Sequence, residues 1–147
     1  MRTAFLATQS RLNELTSIPY IDQDYGDLDF SDQPPFPQGS ILIKVAILKS
    51  VDIDEDGSRQ MCTANVIVRY WIDKQRLDTS NIAPDDMRTR SLDYYDITEA
   101  IHNKLQGFST EEIDRFSRES QVLEDRRDNK MVMRYVYRTS FIQVTGN

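Results

Sequence analysis

The chain is poor in the residues that usually carry chemistry. It holds one Cys, one His and one Trp in 147 residues. A single thiol, Cys62, excludes an internal disulfide and any Cys-based metal cluster, and it reads as a small core residue of a reducing compartment. The lone His102 has no second His or Cys at ligand spacing, so a structural role is the simpler reading. No G-x-S-x-G elbow, glycine-rich phosphate loop or H-E-x-x-H occurs. No run of about 18 apolar residues is present, which leaves no candidate membrane helix. The N-terminal MRTAFLATQSRLNEL is charged and amphipathic, unlike a secretory signal. A cytosolic protein is expected. Positive charge is also short: 18 basic against 24 acidic side chains give a net charge of -6. A nucleic-acid-binding domain would carry a basic excess instead.

What is present is pattern. From Met61 to Asp73 (MCTANVIVRYWID) the even positions Cys62, Ala64, Val66, Val68, Tyr70 and Ile72 are all apolar or aromatic. The odd positions include Thr63, Asn65 and Arg69. Alternation of this kind predicts a central strand with one buried face. Upstream, Ser40 to Lys49 (SILIKVAILK) predicts a strand that is apolar on both sides, broken only by Lys44, and such a strand wants cover on both. One cover is a first helix over residues 3–17, with Phe5, Leu12 and Leu15 near one face and Pro19 ending it; the other is a neighbouring subunit.

Further on, Ile97, Ile101, Leu105 and Phe108 predict a helix opened by a capping box at Asp96 and Glu99 and closed by Gly107. Ser109 with Glu112 predicts a short helix to about Phe116. The chain then predicts a hairpin: one arm over residues 119–125, a turn at Arg126 to Lys130, and a long strand from Met131 to Val144. The order helix, strand, strand, helix, strand, strand predicts an α+β domain. A mainly antiparallel sheet of about four to five strands would carry its helices on one face. The length fits one domain spanning 1–147.

Two connections stand out. Residues 19–39 (PYIDQDYGDLDFSDQPPFPQG) hold five Asp and no Lys or Arg, with Tyr20, Tyr25 and Phe30 interleaved. They are either an acidic solvated loop whose aromatics tuck back on the body or an arm that docks on another subunit. The candidate contacts are Tyr20, Asp22, Asp24, Tyr25, Asp27, Asp29 and Phe30. An arm of that kind is separable, so deleting Asp22 to Asp32 is expected to leave a folded chain. The second connection, a polar loop at 74–92, offers Arg76, Arg88 and Arg90 as complements to the acidic arm of an adjacent copy. Between the strands, Asp52, Asp54, Asp56 and Gly57 spell half a calcium loop, but its twelfth position falls on Thr63 where a Glu is required. An acidic hairpin tip accounts for it better. No metal, cofactor or catalytic residue is assigned.

The layout resembles the tail-terminator and tail-completion (neck, head-tail joining) proteins of long-tailed bacteriophages and prophages. The matching features are PPFPQG at 34–39 after a first helix and a strand ending in the aromatic pair of VRYW at 68–71. A helix bearing Ile97, Ile101 and Leu105 then precedes the charged turn EDRRDNK at 124–130 and the final strand MVMRYVYRTSFI. The match is one of order over nearly the whole chain. The arm and the 74–92 connection are longer than the compact versions need, which leaves open which neck protein it resembles.

The resemblance implies a structural virion assembly protein: a homo-oligomer, usually a hexameric ring, that caps the tail tube and meets the head connector. It would be found in the host bacterial cytoplasm during assembly and in the virion neck afterwards, with no enzymatic activity and no specific hold on nucleic acid. The alternatives are a small acidic cytosolic adaptor or scaffold, a carboxylate metal-dependent hydrolase built on Asp52, Asp54 and Asp56, and an acidic DNA mimic resting on the arm.

Overall fold

In the computed structural model, which describes residues 1–145 with only the backbone of Arg76, the chain forms an α+β domain. Five strands lie in the order β1-β2-β3-β5-β4. They are β1 (Ile21–Gln23), β2 (Ile41–Asp52), β3 (Arg59–Asp73), β4 (Ser117–Leu123) and β5 (Lys130–Val144). All neighbours are antiparallel except the short β1, which pairs parallel with β2 through Ile21 and Ile41. The alternating stretch is indeed central. β3 sits between β2 and β5, and its Cys62, Ala64, Val66 and Val68 are fully buried.

The two long helices, α1 (Arg2–Leu12) and α3 (Asp85–Leu105), cover the face that those residues present. Helix α1 buries Ala4, Thr8 and Leu12 at fourfold spacing, and the Thr8 hydroxyl donates to the Ala4 carbonyl at 2.7 Å, so its burial leaves no polar group unmet. The helix is shorter than predicted. It stops at Leu12, and the chain turns so that Leu15 and Ile18 reach the core. Tertiary packing decides the end of so short a helix, and Pro19 does not.

Helix α3 is longer than predicted and takes up much of the expected polar loop. It begins after Pro84, with Asp85 and Asp86 favourably placed in its first turn. Its inward face runs Ser91, Tyr94, Thr98, Ile101, Leu105. Two of these five are polar, which hid the periodicity. Asp96 is therefore an exposed mid-helix residue, and the capping box predicted there does not exist. Gly107, at φ +77°, does turn the chain out of the helix. The predicted helix after Ser109 is irregular chain with a turn at Thr110 to Ile113 instead. Thr110 Oγ1 accepts from the amides of Glu112 and Ile113, and Ile113 bridges to Phe141 at the sheet edge.

Among the described residues, the opposite sheet face is covered at one end only. There the arm holds β1 and a single helical turn, α2 (Asp27–Phe30), entered through Gly26 at φ +88°. Leu28 of α2 is fully buried against Leu42, Trp71 and Val132, with Phe36 packed alongside. The arm is thus part of the fold, and the expectation that it is separable is corrected: removing Asp22 to Asp32 would strip β1 and Leu28 from the sheet. The second cover of β2 comes, over its first residues, from this same chain.

Candidate interface on the open sheet face

The strand register defines this face row by row. Trp71 stands beside Val132, then Leu42 with Arg69, Arg134 and Val122, then Lys44 with Ile67 and Val136. Beyond them lie Ala46 with Asn65 and Arg138, Lys49 with Thr63 and Ser140, and finally Val51 with Met61 and Ile142. A β-bulge at Leu48 governs the last rows. The register between β2 and β3 shifts between Ile47 and Lys49. Val51 shares the odd numbering of the core residues Ile41 to Ile47, yet the extra residue turns it to the open face. The result is an aliphatic patch of Leu48, Val51, Ile53, Met61, Ile142 and Val144, each more than two-fifths exposed.

At the arm end the geometry is electrostatic. The Arg69 guanidinium, nearly buried, donates through Nε and Nη2 to both oxygens of Glu124 at 2.9 Å. Its Nη1 also donates to Asp24 at 3.1 Å, and both Nη atoms donate to Asp29, the closer at 2.8 Å. Arg126 donates to Asp29 at 2.9 Å, to Glu124 at 2.7 Å, to Asp128 at 2.7 Å and to the Leu28 carbonyl. Burial alone would weaken the Arg69 charge, but Glu124 and Asp29 outweigh it and hold its proton more tightly than in water. Conversely, the hydrogen bond from Arg69, helped by Arg126, holds the Asp29 carboxyl below the ordinary carboxylate range. Arg126 does the same to Asp128. Two arginines joined to four carboxylates staple the arm to the sheet.

Of the arm residues singled out in the sequence, Asp24 and Asp29 are these internal partners. Tyr20 stacks on Phe36, ring centroids 5.6 Å apart, and its hydroxyl donates to Asp22 at 2.8 Å. Asp27 begins α2. Only Tyr25, at 70% exposure, and Phe30, at 90%, stand free of the body. Arg88 and Arg90 are exposed on α3, on the far side of the sheet, and Arg90 reaches Asp86 at 3.8 Å. They do not meet the arm of the same chain. The Arg76 side chain lies outside the described residues. Arg69 and Arg126 were missed. The signal existed in an arginine at an otherwise half-buried strand position and in the EDRRDNK turn, but nothing local links either to an Asp some 40 or 97 residues away.

Tyr25, Phe30, Lys44, Ile67, Val122 and Arg134 line a groove of about 940 Å³ that leads from the arm along the open face. Its polar and apolar mix suits a protein surface better than a reacting small molecule. The carboxylates of the β2–β3 turn do not gather. Asp52 accepts from Gln60, Asp54 from Ser58, and Asp56 from the Ser58 amide. Among the described residues no three acidic, His or Cys side chains converge as a metal site would require, and no helix is long and apolar enough to cross a membrane. On the helix-covered side of the sheet, the half-buried His102 places its Nδ1 2.9 Å from the Tyr137 hydroxyl. No protein-family model matches the chain, and no curated protein matches it at a significant level.

Proposed function

We propose that this protein is a structural virion assembly component of the tail-terminator kind, a ring-forming homo-oligomer that caps a tail tube and meets the head connector. The observation that carries the reading is the half-covered sheet. Its helix side is sealed, whereas the other side is covered by the arm at one end and leaves six aliphatic side chains open at the other. Contiguous apolar surface of this sort marks a protein contact. The order of elements resembles that of neck proteins, and a contact between two different surfaces of identical copies closes naturally into a ring. The net charge of -6 suits a channel that lets DNA pass, since like charge prevents tight phosphate contacts. Function here is interface geometry, with no catalytic step and no cofactor. Its place is the host bacterial cytoplasm during assembly and the virion neck thereafter.

Light scattering on the full chain over a concentration series tests this. The expected result is a discrete species near six subunits, with rings visible by negative-stain microscopy. A monomer at every concentration would reject the self-assembling ring and favour an adaptor whose groove takes a foreign partner.

A further inference from the structure

Three basic residues on the open face lack an ion-pair partner among the described residues. Arg138 is paired with Glu119 at 2.8 Å, but Lys44, Lys49 and Arg134 are exposed and make no ion pair among the described residues. The acids at the arm end do not serve them, because Asp24, Asp29 and Glu124 are committed to Arg69 and Arg126; Asp125 remains at the rim. The groove therefore offers cations and aliphatic surface together. Its complement exists elsewhere in the same chain. The outer side of α3 exposes Leu92 and Tyr95 between Asp93, Asp96 and Glu99, with three- and four-residue spacings that put Leu92, Tyr95, Asp96 and Glu99 on one face. Length permits the contact: the β3 rows left open by the arm, from Met61 to Ile67, span ~20 Å, and a helix of 21 residues spans ~32 Å.

We propose that the outer face of α3 from one copy seats in the open-face groove of the next. Leu92 and Tyr95 would lie against Ile67 and the aliphatic patch, with Asp96 and Glu99 near Lys44 and Arg134. A copy cannot satisfy itself in this way, since its own α3 packs on the opposite side of its own sheet. The contact joins two different patches, so it propagates head to tail and closes as a ring or continues as a filament. The inference rests on the ring reading and specifies its interface.

Charge exchange in the full chain tests it. Lys44→Glu with Arg134→Glu makes the groove acidic; Asp96→Lys with Glu99→Lys makes the helix basic. All four positions are exposed, and circular dichroism checks that each variant keeps its fold. Light scattering at low salt should show each double variant alone needing a roughly tenfold higher concentration to assemble. An equimolar mixture of the two should recover assembly, because acidic helix then meets basic groove and basic helix meets acidic groove in alternation. Wild-type rings with variants that assemble equally well would reject this contact while leaving the ring standing. Disruption without recovery on mixing would also reject it, as the two surfaces would then not be partners. A wild-type chain that stays monomeric throughout would remove the ring and this contact together.

Discussion

Arg69 shows how one side chain can hold a whole segment. It projects from the central strand into the arm-covered end of the open face and meets three carboxylates drawn from the arm and from the turn after β4. Replacing it with Met keeps the stem but strands Asp24 where water is scarce, and leaves Glu124 and Asp29 to Arg126 alone. Breaking a buried charge network by removing one partner costs about 3 kcal/mol or more. Arg69→Met should therefore lower the denaturant midpoint strongly, and a loss under about 1 kcal/mol would show that the staple contributes little. The same residues set an acid limit. Asp29 and Asp128 titrate lower in the folded chain than in the unfolded one, so the unfolded state takes up protons first as pH falls. Their contribution is complete above about pH 4 and is lost as pH drops through the folded values. Denaturation curves between pH 5 and pH 2.5 should show a shallower pH dependence for Asp29→Asn than for the natural chain. An identical dependence would mean that other carboxylates control acid unfolding.

At the scale of elements, the arm performs two separate jobs with neighbouring residues. Leu28 points into the sheet and is fully buried, while Phe30, two positions on, is almost fully exposed. Leu28→Ala should cost about 3 kcal/mol, as removal of a buried Leu side chain leaves a cavity. Phe30→Ser should change stability by less than about 0.5 kcal/mol, the usual size for a surface substitution. If Phe30 takes part in an interface, its loss should instead weaken assembly in a scattering measurement. Equal effects of both substitutions on stability would show that the arm's inner and outer faces are not distinct. The one-residue bulge at Leu48 is the corresponding device in β2. It turns Val51 from the core side to the open side and thereby builds the aliphatic row with Met61 and Ile142.

For the molecule as a whole, the asymmetry of the sheet is the central property. One face is closed by α1 and α3; the other is a trough with an electrostatic staple at one end and aliphatic residues at the other. Contacts that rely on Lys44 and Arg134 are screened by salt, since the Debye length shrinks from about 10 Å at 0.1 M to about 3 Å at 1 M. Apolar burial is not. The ring expected by light scattering should accordingly weaken as salt rises but persist in part. The arm staple is shielded within the fold and should respond less than the assembly does.

Patterns that repeat at short range were legible without coordinates. The alternation in 61–73 and 131–144 specified β3 and β5, and the runs around them specified an α+β domain with a mainly antiparallel sheet. Pleat geometry makes those readings local, because every second side chain must face the same way. Helix ends were less legible. Leu12 ends α1, and Ser91 and Thr98 belong to the buried face of α3, because contacts across the sheet and helix layer override local propensity. The arm's place, the partnership of Asp29 with Arg69 and Arg126, and the turning of Val51 could be settled only in three dimensions. Each depends on residues far apart in the chain meeting on one face, or on one extra residue in a ladder, and neither leaves a periodic trace in the sequence.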